Sequence, residues 1–600
     1  MNTTQYWTLD QYLAAYQAGQ TPRELLAAWF EHAPDDAAWI SRATMHQLEG
    51  QIQELESRVA GHPDLTQWPL YGVPIAVKDN IDVAGFATTA ACAAFEYWPE
   101  HDAAVVTLLR QAGAIIVGKT NLDQFATGLV GTRSPWGEVP NTFKPDYVSG
   151  GSSSGSASVV ARGWVPIALG TDTAGSGRVP AGFNNIVGLK GTLGAISVQG
   201  VVPACQTLDC VSIFALTLAD ASQVFDWLAQ RNQQDPWSRS KPAHHIPQQM
   251  KRLGIPQAPN WFGDARQAQA WADALAQWQT LPVTLVPIDF TLLWELAALL
   301  YEGPWVAERH AAIAEFMAVA EQRTTMHSTV RDIIAGAEQF SATDYFKAHY
   351  QKQSLIHRIQ ALLAEVDGLL VPTSPCFPTR AAVAANPISE NAKLGLYTNF
   401  VNLSDRCALS VPAGMRSDGL PFGVTLIAEA WRDQDLQALA SQWLALLPLQ
   451  LGNGNTPWPE EALQLAAAEL PDQTVEVCVV GAHLEGMPLH SQLTERRAQW
   501  VEATTTAPCY RLFELPDSAP PKPGLARMQT GVAIAVEVYR MGYQELGSLM
   551  ALIPPPLGIG NVQLADGRWV KGFICEPLAL EAAKDISHFG GWRAFMAAHK

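Results

Sequence analysis

Charge is scarce in this chain. Asp, Glu, Lys and Arg make up 16% of its 600 residues, against a usual ~25%. A chain this poor in charge and 48% hydrophobic has a large interior for its surface, which excludes disorder as its main state. Basic residues are the scarcer sign. Thirty-nine of them against 57 acidic ones leave a net charge of −18. That balance suits neither a phosphate backbone nor an anionic membrane, so no nucleic-acid or membrane partner is expected. An anionic substrate would need a local basic group set against the overall field. No run of ~18 apolar residues occurs, so no membrane span is expected. The start, MNTTQYWTLDQYL, lacks a basic region followed by an apolar core and does not read as a secretion signal. None of the eight cysteines forms a C-x-x-C pair, which excludes a zinc knuckle and a thioredoxin-type motif. They read as reduced thiols of a cytoplasmic protein.

What is there begins with length, which implies more than one domain. In the first 65 residues, segments such as PRELLAAWF carry apolar residues at three- and four-residue spacing and predict helices. From Tyr71 the pattern becomes short apolar runs ending in Gly, Lys, Asn or Asp: YGVPIAVKDN, AGAIIVGKTN and GWVPIALGTD. These predict buried strands alternating with helices such as AAVVTLLRQAG at 103–113, hence an α/β sheet with helices on both faces. Ligands then sit beyond the strands' carboxyl ends. Residues 290–365 turn helical again, and VDGLLVPTSP and GLPFGVTLIAE predict further strands. LGNGNTPWPEE, 451–461, reads as a linker. Beyond it, TVEVCVVGAH, GVAIAVEVYRM and RWVKGFICEP predict a smaller α+β domain. The expected division is 1–455, a linker at 456–472, and 473–600.

Chemistry concentrates in 149–192, SGGSSSGSASVVARGWVPIALGTDTAGSGRVPAGFNNIVGLKGT. The Gly/Ser stretch passes directly into an apolar helix, so it belongs to tight structure and not to a linker. No G-K-[ST] follows, which excludes a P-loop. Ser176 lies between Gly175 and Gly177. Small neighbours expose a hydroxyl and free backbone N–H groups, as a nucleophile with an oxyanion hole requires. Histidine is the usual base, but the segment has none. Lys78, at the end of an apolar run, is the alternative: burial would lower its pKa and leave a neutral amine to accept a proton. A solvated surface group is the other reading of a strand-end lysine.

Together these pieces resemble the amidase signature family. The matching residues are Gly150-Gly151-Ser152-Ser153, Gly170-Thr171-Asp172, Gly175-Ser176-Gly177-Arg178, and Lys78, which lies 74 residues before Ser152. The resemblance covers roughly 20–450. It implies a mixed central sheet covered by helices, with Ser176 as nucleophile. Ser152, on a cis peptide, would relay the proton and Lys78 would be the base. The N–H groups of Thr173, Ala174, Gly175 and Ser176 would form the oxyanion hole. Ser154 departs from the glycine many members carry.

Two features narrow the amide. Gly303-Pro304 suits a helix start, and on that helix Arg309 has Trp305, Val306, Ala312, Ile313 and Phe316 as its three-, four- and seven-residue neighbours. An arginine on an apolar face needs an anion. That anion is either an internal carboxylate or a substrate carboxylate held bidentately, with Tyr301 adding a hydrogen bond. The second feature is the C-terminal part, where GAHLEGMPLHSQLTERRA, IPPPLGIGNVQLADGRWVKGF and GGWRAF resemble the second domain of allophanate hydrolases. NLDQFATGLVGTRSPWG at 121–137 resembles the same subgroup. The resemblance implies hydrolysis of allophanate (urea-1-carboxylate) to ammonia and N-carboxycarbamate, which goes on to carbon dioxide and a second ammonia. It further implies that a tyrosine and an arginine eight residues apart, here Tyr301 and Arg309, hold the substrate carboxylate. A homodimer is expected, with no metal and no cofactor. In the second domain His490 is a candidate, beside His483 and Glu537. A general amidase or an amidotransferase-type amidase subunit is the alternative function.

Overall fold

Strands with no polar alternation are buried on both faces, so helices must cover both sides of their sheet. The computed structural model describes residues 6–60, 65–242, 249–459, 474–496, 498–516 and 520–599. Eleven strands among these residues form one sheet. They are β1 (Trp39–Arg42), β2 (Pro74–Lys78), β3 (Ile115–Thr120), β4 (Ile167–Asp172), β5 (Val187–Lys190), β6 (Cys210–Ala215), β7 (Arg252–Pro256), β8 (Thr284–Ile288), β9 (Gly368–Pro372), β10 (Arg406–Met415) and β11 (Pro421–Glu429). Their order is β1-β3-β2-β4-β6-β5-β10-β11-β9-β7-β8.

The sheet is mixed. β2 runs parallel to β3 and to β4, while β4 runs antiparallel to β6. β2, β3 and β4, the three runs the sequence marks as strands, are buried along their whole lengths. Being parallel, they end at one edge, which brings Lys78, Thr120 and Asp172 to the same side. Lys78 lies opposite Thr120 in the register. The helix Ser154–Ala161 is buried throughout. Its Gly, Ser and Ala residues let it come close: a Cβ on Gly155 would collide with the backbone of Ala38 and Asn121.

The chain divides near residue 465 into two compact units. The second contains a five-stranded sheet of β12 (Thr474–Val479), β13 (Gln499–Thr505), β16 (Ala535–Gly542), β17 (Leu557–Gln563) and β18 (Trp569–Cys575), ordered β13-β16-β12-β18-β17. A three-stranded sheet joins β14 (Tyr510–Glu514), β15 (Pro523–Arg527) and β19 (Lys584–Asp585).

The linker expected at 456–472 needs correction at its start, and its remainder, from 460, lies outside the described residues. Residues 449–459 are packed structure of the first unit. Gln450 pairs with Pro457 in a β-bridge. The Asn453 N–H donates to Ala161 O at 2.8 Å, and Asn185 Nδ2 donates to Gln450 O at 3.1 Å and Gly452 O at 2.8 Å. Leu451 is fully buried. Turn-forming composition made this stretch look free, yet the turn is pinned on both sides. A chain ended after Pro459 is therefore expected to fold and melt cooperatively. One ended after Pro448 strips the acceptors from Asn185 and from the Tyr6 hydroxyl, which donates to Asn453 Oδ1. Each buried group left unpaired costs about 1–3 kcal/mol, so the shorter chain should melt lower. Equal melting midpoints would mean that this turn is a passive tail.

Candidate active site

Lys78 closes β2 and is wholly buried. Its Nζ donates to Ser152 Oγ at 2.8 Å and to Thr171 Oγ1 at 2.8 Å. Burial brings its pKa down to about 7, against the raising pull of Asp123, Asp209 and Asp172. A neutral amine is therefore accessible at neutral pH. Each of those carboxylates is satisfied elsewhere. Asp172 takes a two-pronged pair from Arg178, at 2.9 Å for both contacts, and the N–H groups of Gly175 and Gly177 at 2.8 and 3.0 Å. Asp123 accepts the backbone N–H groups of Val130, Gly131 and Arg133 at 3.0–3.1 Å. Asp209 accepts the Thr173 hydroxyl and the N–H groups of Ala204 and Cys205, and burial pushes its pKa up to about 6.

Ser152 follows a cis Gly151–Ser152 peptide bond. Gly151 has no room for a side chain, because a Cβ there would overlap the Asp123 carboxylate. Ser153 Oγ donates to Thr171 O at 3.1 Å, tying the serine loop to the end of β4. Ser154, the departure from the family pattern, starts the following helix with its hydroxyl buried and unpartnered.

Ser176 lies in the turn between β4 and the helix Val179–Phe183 and is buried. Gly175 adopts φ +131° and fits against Thr398, whose hydroxyl donates to Ala174 O at 2.7 Å. Among the described residues no acceptor takes the backbone N–H of Thr173, Ala174 or Ser176. These three are left without an intramolecular partner, as donors to an oxyanion must be. The expectation for Gly175 is corrected: its N–H is held by Asp172 Oδ1 at 2.8 Å, so it braces the turn instead.

The helix Trp305–Ala312 starts directly after Pro304, its N-cap, and buries Trp305, Val306 and Arg309. Arg309 Nη1 donates to Thr127 Oγ1 at 3.2 Å, and Nη2 to the Tyr301 hydroxyl at 3.3 Å. The guanidinium also stands 5.1 Å from the Tyr301 ring centroid. Its Nε has no partner. Among the described residues no carboxylate forms an ion pair with it, so the internal salt bridge is not what holds this arginine. Tyr301 lines a cavity of about 520 Å³ with Arg133, Val306, Asn391 and Asn399.

Thr171, Asp209, Thr127 and Arg133 complete this neighbourhood and were given no role from sequence. Thr171 stands, with Asp172, in the Gly170-Thr171-Asp172 segment that carries the family resemblance, which was the signal available for it. Asp209 has no local signal. Among the described residues no group of three or more His, Cys, Asp or Glu side chains could hold a metal, and no helix is long and apolar enough to cross a membrane.

In the second unit His490 Nδ1 contacts His483 O at 3.2 Å, and its ring lies 5.8 Å from that of Tyr539. Glu537 pairs with Arg593 at 2.7 Å and accepts the Tyr539 hydroxyl at 3.0 Å. His483 stacks on Phe573 and, with Gln492, lines a cavity of about 190 Å³.

Comparison with known proteins agrees with both units. The Amidase family profile matches residues 30–436, and the allophanate hydrolase C-terminal domain profile matches 475–597. A solved structure of a serine-to-alanine variant of Kluyveromyces lactis allophanate hydrolase is 43% identical, covers 100% of both chains and superposes with a TM-score of 0.81. Urea amidolyase of Saccharomyces cerevisiae is 47% identical over 94% of this chain, but the chain spans only 31% of that protein's length. A glutamyl-tRNA(Gln) amidotransferase subunit from Symbiobacterium thermophilum is 35% identical over 68% of this chain and 89% of its own. The serine turn and buried lysine thus sit on a scaffold shared along most of its length: the chain belongs to the amidase family and carries an allophanate hydrolase C-terminal domain.

Proposed function

We propose that this chain hydrolyses allophanate through an acyl-enzyme on Ser176. The observation that carries the substrate is Arg309, a buried guanidinium whose bonds go to two hydroxyls and whose charge has no carboxylate paired with it. Such a cation gains most from an anion brought in by the ligand. Tyr301, bonded to it, adds the second contact to the substrate carboxylate. A general amidase has no use for that cation. The likeness to an amidotransferase subunit covers 68% of this chain, so glutamine is the competing substrate to assay.

As Ser176 Oγ attacks the terminal amide carbon, its proton passes to Ser152 Oγ, and the Ser152 proton passes to the neutral Lys78 amine. The N–H groups of Thr173, Ala174 and Ser176 take the oxyanion. The C–N bond then breaks, the proton returns along the same path, and nitrogen leaves as ammonia. Water, deprotonated by the same relay, releases N-carboxycarbamate, which goes on to carbon dioxide and a second ammonia. We place that later step in the second unit, with His490 as its acid–base candidate. The reading includes a homodimer in the cytoplasm. The free state of all eight cysteines supports a reducing compartment, and sedimentation reads the dimer.

Ser176→Ala should lower ammonia release from allophanate by about four orders of magnitude or more with an unchanged melting midpoint. Near-normal turnover would remove Ser176 as nucleophile. The base must be neutral, so kcat/KM should rise with pH through about 7 and be lost below it. Lys78→Arg, always protonated, should be inactive across the range. A flat profile, or an active arginine variant, would overturn the role of Lys78. Arg309→Ala should lose about 2–5 kcal/mol of transition-state binding on allophanate and far less on uncharged biuret. Equal losses would make Arg309 a structural residue.

A further inference from the structure

The run NLDQFATGLVGTRSPWG at 121–137 has no chemical role in the mechanism above, yet it carries a second buried cation. Arg133 is 2% exposed. Its Nη1 donates to Thr127 O at 2.9 Å and its Nη2 to Pro387 O at 2.6 Å, while its Nε is buried without a partner. Both acceptors are neutral carbonyls. Thr127 is thereby held from two sides, its carbonyl by Arg133 and its hydroxyl by Arg309.

Neither guanidinium forms an ion pair with a carboxylate of the described residues. Asp123, whose charge supports Arg133, has its oxygens on three backbone N–H groups. Arg133 and Tyr301 line the same cavity, whose other charged lining residues are Glu302 and Asp332. Burial works against the Arg133 charge, and Arg309 works against it further, with Asp123 and Tyr301 in support. Two like charges buried near each other are unfavourable unless anions offset them; Asp123 does so for Arg133, and Asp209 and Glu308 do so for Arg309, but none of them is shared between the two guanidiniums in direct contact. A clamp on two carbonyls alone would not need a charge, since a glutamine amide also donates two hydrogen bonds.

We propose that Arg133 is a specificity-determining residue, a second cation that acts with Arg309 to select an anionic substrate and, through Thr127, sets where Arg309 stands. This rests on the reading of the site as one for a substrate carboxylate. The test therefore reads binding separately from turnover. The probes are malonamate, which bears one carboxylate and one amide, and its neutral counterpart malonamide. Their affinities are measured by calorimetry on the full-length Ser176→Ala protein, with Arg133 intact, changed to Gln and changed to Lys.

Arg133→Gln should weaken malonamate binding about tenfold and leave malonamide within about twofold. Arg133→Lys, which keeps the charge but not the fork, should lose less malonamate affinity than Arg133→Gln does. An unchanged malonamate affinity in Arg133→Gln would overturn the proposal. So would an equal loss for both probes in Arg133→Gln or Arg133→Lys, which would make Arg133 a clamp. If malonamate shows the expected charge dependence while the wild-type protein fails to turn over allophanate, Arg133 stands and the assigned substrate falls.

Discussion

The proposed site depends on an amine that can lose its proton inside the protein at neutral pH. Lys78 is buried to the point where its proton is held loosely, near neutrality. Three carboxylates pull the other way, and any of them in direct contact would fix the ammonium form. The fold prevents this by giving each carboxylate other donors: Arg178 for Asp172, backbone N–H groups for Asp123, and the Thr173 hydroxyl with two backbone N–H groups for Asp209. The amine is left with two hydroxyls as partners, Ser152 and Thr171. A hydroxyl can accept a proton from one side and donate one to the other, which a carboxylate in its ionised form cannot do. The Arg178–Asp172 pair therefore serves the lysine as much as it serves the turn it braces.

The other pole of the site obeys the opposite rule. There the buried groups are guanidiniums, which keep their charge whatever the burial, and their bonds go to neutral oxygens. The chain as a whole carries −18, so a field from the surface would turn a small anion away. Only a cation held inside, in a low-dielectric setting where charge interactions are strong, can offset this at short range. The proposed base and a cation without a directly paired carboxylate belong together: the first needs a dry interior to lose its proton, and the second, steadied only at longer range by Asp209 and Glu308, needs the same interior to make its charge felt.

How much of this was legible follows from the range of each interaction. β2, β3 and β4 read directly, because an unbroken apolar run with a polar end is a local pattern. Arg309 read from helical spacing, again local. Thr127 and Arg133 depend on contacts far apart in sequence. Thr127 meets Arg309 across 182 positions, and Arg133 reaches Pro387 across 254. The turn at 449–459 failed for the same reason. Its glycines and asparagines report how the chain bends, and not that Asn185, 265 residues away, caps the bend from the other side. Gly175 failed differently. Its place beside the nucleophile read as a donor to the oxyanion, but its N–H points back at Asp172, at the start of the same turn.

The arrangement also has a cost that explains where selectivity comes from. A buried charge without a directly paired counter-charge makes a poor contribution to the fold, and a well-packed apolar residue in its place is commonly more stable. Proteins retain such residues where activity requires them, giving up stability in exchange. An anion that binds the folded state and not the unfolded chain recovers that stability in proportion to its affinity. A neutral amide of the same shape would recover less, since to the guanidiniums it offers only a neutral oxygen of the kind that Thr127, Tyr301 and Pro387 already supply. On the proposed reading, discrimination between the two would come from guanidiniums whose only direct partners are neutral oxygens, so that an anion adds a contact that the fold itself leaves unmade at Arg133 and Arg309.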